Sequence, residues 1–176
     1  MNLSYEKKVL LSVLQKNPNI GKTAVMKAAF MLQQVKKLHL DYDFSIYTYG
    51  PYSSDVTEDV DDLISKRLAV STVCDYGNYV GYDLNVSEEG KAYTEGLDRD
   101  SEKAVAEIVD FIKGKSVKDL ELYSTIIYIE GLYTKNSWER QADSIVKQVH
   151  ELKPHFGEDV IGSALKMLHA NGCLAS

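Results

Sequence analysis

The stretch that most constrains this chain is Phe44 to Leu68, FSIYTYGPYSSDVTEDVDDLISKRL. Phe44, Ile46 and Thr48 alternate with Ser45, Tyr47 and Tyr49, the period of a short strand. Gly50-Pro51 predicts a tight turn, and Ser53 or Ser54 can cap a helix behind it. In that helix Val56, Val60, Leu63 and Ile64 recur at i, i+4, i+7 and i+8, which makes a buried stripe. The solvent side then receives Asp55, Glu58, Asp59, Asp61 and Asp62, relieved only at its end by Lys66 and Arg67. Any fold for this chain must accommodate an acidic amphipathic helix directly behind a tyrosine-rich turn.

The flanking segments complete a pattern. Ser4 can cap a first helix whose apolar face is Val9, Leu10, Val13 and Leu14, and Asn17-Pro18-Asn19 stops it. A second helix is expected from after Gly21 to about Lys37. Val25, Met26, Ala29, Phe30 and Gln33 lie on one side, with Lys22, Lys27, Lys36 and Lys37 elsewhere. Behind the acidic helix come two strands, Leu68–Cys74 and Tyr79–Val86, joined by Asp75-Tyr76-Gly77-Asn78. Gly77 and Asn78 tolerate the positive φ of a tight hairpin. Ser87 caps a short helix, EEGKAYTE. Helix, helix, strand, acidic helix and hairpin are the order of a winged helix-turn-helix.

Beyond Asp98 the period stays helical. Residues 102–113 stripe through Val105, Ile108 and Ile112, and residues 117–133 are apolar on most sides. Asn136 with Glu139 three residues on predicts a capping box for a helix striped by Ala142, Ile145, Val146, Val149 and Leu152. Pro154 breaks that helix, and a last one ends at Asn171-Gly172. The expected class is mostly α with a small antiparallel β element, an α+β arrangement. Residues 1–98 read as a winged-helix-like domain and residues 99–176 as a C-terminal lobe of about four helices packed on it.

Charge is unevenly placed along the 176 residues. Seven lysines against Glu6 alone give residues 1–37 a charge of +6, whereas residues 38–100 carry −10 and residues 101–176 carry −2. The two poles either neutralise each other within one fold or serve a partner. The apolar run VLLSVL after Lys7 and Lys8 is too short for a signal sequence, and nothing approaches a membrane span. Cys74 and Cys173 form no framework, so the expected location is a reducing cytoplasm.

The segment Lys22-Thr23-Ala24-Val25-Met26-Lys27, the block Tyr49-Gly50-Pro51-Tyr52-Ser53 and the Glu89-Gly90-Lys91 helix together resemble the YwgA-like and phage-associated, Panacea-type (SocA-like antitoxin) winged-helix group. The resemblance covers about residues 5–98, with Leu152-Lys153-Pro154…Phe156 as weaker support, and Y-G-P-Y-S is its specific part. It implies a winged-helix fold and an antitoxin-like or adaptor-like role in binding another protein. No catalytic motif comes with it.

The residues themselves point away from chemistry. Gly21-Lys22-Thr23 lacks the upstream glycine of a phosphate-binding loop, since that position is Lys16, and a helix rather than a strand precedes it. His39, His150, His155 and His169 show no zinc spacing, and the acidic helix lacks a calcium-loop pattern. No nucleophile motif appears. We therefore expect no catalytic, cofactor-binding or metal-binding residues and no small-molecule substrate. A DNA reader would present its third helix to the phosphates, and here that helix carries −3 from Ser53 to Arg67, which disfavours sequence-specific DNA. The lysines of the first two helices keep a DNA-binding regulator as the alternative. Twelve tyrosines favour a protein interface instead. The expected partner-binding residues are Tyr47, Tyr49, Tyr52, Asp55, Asp59 and Asp62, with a basic protein, or a second copy of the chain, as the partner.

Overall fold

The computed structural model describes residues 2–77 and 79–174. The first helix, α1 (Tyr5–Lys16), starts where expected: the Lys7 amide donates to Ser4 Oγ, and Pro18 follows its end. A two-residue strand that periodicity could not reveal, β1 (Ile20–Gly21), leads into α2 (Lys22–Gln34). That helix stops three residues short of Lys37, because Lys37 takes a φ of 57° and the chain leaves the helix there.

The expected turn at Gly50-Pro51 is a strand. β2 (Ser45–Tyr47) pairs with β3 (Gly50–Tyr52) in the register Ser45↔Tyr52, Ile46↔Pro51 and Tyr47↔Gly50, so the chain turns at Thr48-Tyr49. Gly50 carries the positive φ, 88°, that follows the turn. Helix α3 (Ser54–Ser65) follows, with Val56, Val60 and Leu63 buried as the stripe requires. Its N-cap residue is Ser53, but the Ser53 hydroxyl makes no capping bond and is buried without a partner. The helix closes with Arg67 at a φ of 61° and with Leu68 N–H donating to Leu63 O at 2.9 Å, a Schellman turn built without glycine.

Strands β4 (Ala69–Asp75) and β5 (Val80–Val86) form the expected antiparallel hairpin, with Gly77 at a φ of 81° and Asn78 outside the described residues. β1 joins them at the far side, so the sheet order is β1-β5-β4. The short helix α4 (Glu88–Thr94) is capped by Ser87 as expected. A Cβ on Gly90 would lie 2.1 Å from Leu68 O, so a side chain there would drive α4 off the base of β4.

In the second half α5 (Arg99–Ile112) begins three residues earlier than expected, because Asp98 caps it by accepting from the amides of Asp100 and Ser101. Helix α6 (Val117–Lys135) carries the capping box, formed by Ser116 and Asp119. The box expected at Asn136 and Glu139 does not form: Asn136 closes α6, its side-chain amide donating to Leu132 O, and α7 (Ala142–Leu152) starts after Gln141. Helix α8 (Glu158–Ala170) ends at Asn171-Gly172. The chain is thus mostly helical with small antiparallel β pairings. Helix α2 packs against α6, α5, α1 and β3, and one apolar cluster runs from Leu3 to Leu174.

Candidate interaction surface

The β2–β3 hairpin is fixed from beneath by buried charge. Lys27 on α2 is 2% exposed and donates to Pro51 O at 2.6 Å. Lys153, in the break between α7 and α8, is 5% exposed and donates to the carbonyls of Tyr47 and Thr48. Neither amine is fully balanced. Glu121 of α6 places Oε1 3.0 Å from Lys153 Nζ and 3.3 Å from His155 Nε2, but off the line of a hydrogen bond, so these are charge contacts. Burial, and then the neighbouring Lys153, pull the Lys27 amine down to about 8, while Glu121 acts the other way. On the α6 side Gly50 meets Ser124 Oγ, Thr125 Oγ1 and Glu121 O, all within 3.3 Å of where a Cβ would sit. These contacts give the Y-G-P-Y-S block its physical meaning. Glycine allows both the positive φ and the close approach to α6, and Pro51 spends no amide where only its carbonyl is used.

Held this way, the hairpin presents its rings outward. Tyr47 is 63% and Tyr49 60% exposed, and Tyr52 is 36% exposed. The Tyr47 and Tyr52 rings lie 5.3 Å apart, and Tyr52 accepts a hydrogen bond from Thr57 Oγ1, which draws it onto the first turn of α3. Asp55 sits in that turn, exposed. The structure therefore groups Tyr47 and Tyr52, with Tyr49 at the hairpin tip, while Asp55, one turn before Asp59 on α3, lies near enough to Tyr42 to help raise its phenol.

Asp59 and Asp62 lie elsewhere on α3, half-buried where the helix faces α1. Lys7 of α1 bridges them, with Nζ 3.4 Å from Asp59 Oδ1 and 2.6 Å from Asp62 Oδ2. Tyr42, 6% exposed, donates its hydroxyl to Asp59 Oδ2 at 2.8 Å. Burial, then that bond to Asp59, pushes the Tyr42 phenol far up. Hydrogen bonds from Lys66 and then Lys7 hold the Asp62 carboxyl below its ordinary range. Asp61 pairs with Lys22 at 3.2 Å. Three of the five carboxylates are thus ion-paired within the fold, all of them with the N-terminal lysine pole. Asp55 and Glu58 have no ion-pair partner among the described residues.

Other aromatics cluster on the β4–β5 hairpin. Tyr76 and Tyr79 stack with centroids 5.1 Å apart, and Tyr76 and Cys74 both donate to Asp83. The remaining candidate groups serve the fold: His150 Nδ1 lies 2.7 Å from Phe156 O, and Lys36 pairs with Glu107. A cavity of about 400 Å³ opens between the ends of α2, α6 and α8, lined by Gln34, Glu130 and Cys173, far along α2 from the hairpin.

Sequence reasoning missed Lys27, Glu121 and Lys153. Lys27 is buried although the apolar stripe of α2 leaves it to another side, and it is the one charge between Ala24 and Leu32. A lone lysine in a helix apolar all round signals a buried amine with a fixed acceptor.

No family model matches the chain. Over 122 residues it is 27% identical to the Uncharacterized protein YwgA of Bacillus subtilis (strain 168), an alignment covering 69% of this chain and 72% of that protein.

Proposed function

We propose, on this similarity to YwgA and on the hairpin geometry, that the protein is a non-enzymatic interaction module. In this reading residues 1–98 form a winged-helix-type lobe, and the clamped tyrosine hairpin binds a basic segment of another protein, in an antitoxin-like or adaptor-like role. The order α1, β1, α2, α3, β4, β5 with the sheet order β1-β5-β4 supports the winged-helix reading.

The observation that carries the binding reading is the pairing of exposed rings with a buried clamp. Tyr47 and Tyr49 are more than half exposed, while the backbone beneath them is tied to Lys27 and Lys153. Aromatic side chains on a fixed backbone lose little entropy on binding, which is what a hot spot requires. Asp55 and Glu58 would steer a cationic partner and set its orientation. The DNA alternative loses support from the same contacts. Of the seven N-terminal lysines, Lys7, Lys22 and Lys36 are ion-paired and Lys27 is buried, so the +6 segment offers phosphates far less than its formal charge.

No helix among the described residues is long and apolar enough to cross a membrane, which accords with a proposed cytoplasmic setting. The test is quantitative binding of partners recovered from the native cell. Tyr49→Ala should weaken the specific partner by on the order of 1–2 kcal/mol, and Asp55→Lys with Glu58→Lys should slow its association, with no loss of thermal stability in either. Unchanged binding in both variants would sink the reading.

A further inference from the structure

The edge of the β4–β5 hairpin carries a second surface, independent of the tyrosine hairpin. β4 lies at the outside of the sheet order β1-β5-β4. Its pairing with β5 runs without a bulge from Ala69↔Val86 to Asp75↔Val80. Just outside the ends of that ladder, Tyr76 N–H donates to Tyr79 O and Ser87 N–H to Leu68 O, each at 3.0 Å. Even-numbered residues therefore turn their backbone groups towards β5, and Ala69, Ser71, Val73 and Asp75 turn theirs outward. Among the described residues the outward amides and carbonyls of these four make no backbone hydrogen bond to a turn, loop or other segment.

Natural edge strands are usually blunted by charge, proline or a bulge. β4 has none of these in its interior: Leu68 to Cys74 reads L-A-V-S-T-V-C, uncharged and rich in β-branched residues. The face it shares with β5 changes character along its length. Ala69 and Leu84 at the base are buried, whereas Val73, Val80 and Tyr82 towards the tip are 64%, 61% and 49% exposed. Val73 and Tyr82 are cross-strand partners, so the three make one apolar patch beside the open edge.

We infer that β4 pairs antiparallel with β4 of a second copy of this chain, joining two three-stranded sheets into one of six strands. Two features select this occupant and this direction. The strand is bracketed by opposite charges, Arg67 before it and Asp75 at its end. Antiparallel self-pairing places each Arg67 diagonally from the other copy's Asp75, one ladder step beyond the Ala69–Asp75 pair and within reach of the long arginine side chain, whereas parallel pairing would set like charges together. The apolar tip is the other feature. A two-fold axis through the paired strands places each tip beside the partner's base, so Val73, Val80 and Tyr82 gain a protein surface where the single chain leaves them in water. The register that uses the full strand matches Ala69 with Asp75, Ser71 with Val73, and Thr72 with Thr72 of the other copy. Thr72 then sits on the axis at a non-hydrogen-bonded position, where facing Cα atoms are about 4.5 Å apart.

That geometry sets the test, made on the full chain. Sedimentation equilibrium should find a concentration-dependent species of twice the 19.7 kDa chain mass. Thr72→Cys in a Cys74→Ser, Cys173→Ser background should cross-link to a covalent dimer under mild oxidation, since the facing Cα separation falls within disulfide reach. Val73→Lys should leave a folded monomer, because Val73 is exposed in the single chain and would set two lysines close to the axis. Arg67→Glu or Asp75→Lys alone should weaken the dimer, and the two together should restore it. A chain that stays monomeric at all concentrations, or a dimer that survives Val73→Lys and gives no Thr72→Cys cross-link, overturns the inference.

Discussion

Replacing Glu121 with Gln removes the carboxylate that faces both Lys27 and Lys153 and leaves the volume unchanged. The Lys153–Glu121 contact is 3.0 Å, and at an effective dielectric of about 20 its gross Coulomb energy is about 5 kcal/mol. The glutamine oxygen still offers Lys153 a dipole, so part of that is retained. A net loss of about 3 kcal/mol is expected, the lower end for breaking a buried pair from one side. In urea this should lower the unfolding midpoint by about 1.5 M at neutral pH. The pH dependence sharpens the test. Lys27 is depressed from 10.5 to about 8 in the folded state, so between those values the folded chain holds fewer protons than the unfolded one and its stability rises with pH. The penalty of two buried amines without a counter-ion therefore shrinks once Lys27 is neutral, and the gap between variant and wild type should narrow from pH 7 to pH 9.5. A midpoint within 0.3 M of wild type (about 0.6 kcal/mol by the same slope) would refute the clamp, and an equal loss at both pH values would refute the role of Lys27 in it.

The other predictions rest on separate contacts. Gly90→Ala should cost on the order of 3 kcal/mol or prevent folding, because its Cβ would meet Leu68 O at 2.1 Å; a thermal melt within a degree of wild type would refute the packing of α4. Lys7→Glu should lower the melting temperature by about 2–4 °C, in line with about 1 kcal/mol for a half-exposed charge pair turned repulsive, whereas Asp55→Lys should leave it unchanged. Selection against a random duplex library should return no consensus site, and any residual duplex binding should be sequence-blind and lost as salt rises.

The sequence made most helices legible because each amphipathic stripe is a local record of what it packs on. Val56, Val60 and Leu63 all fell on the buried face of α3 as their spacing required. Elements defined by long-range partners were not legible. β1 exists only because Ile20 and Gly21 lie against Leu84 and Asp83, and two residues have no period. The turn was misplaced by two residues because Gly50-Pro51 has turn composition, while the backbone there is spent on pairing with β2 and on the Lys27 bond. The site shows the same division. The tyrosines were visible as composition, but Asp59 and Asp62 were read as solvated because nothing local shows that Lys7 of α1 lies across from them. The clamp joins Lys27, Glu121 and Lys153 across more than 120 residues, and only the fold brings them together.

Photo-crosslinking in the native cell decides whether the clamped hairpin is a protein-binding surface. A photoreactive amino acid is placed at Tyr49 and, as a control, at Trp138, which is exposed at 53% on the loop after α6. A protein-binding hairpin gives one discrete adduct from position 49, competed away by the wild-type chain and reduced by Asp55→Lys with Glu58→Lys, and no such adduct from position 138. The same adducts from both positions, or none from position 49, would contradict that role.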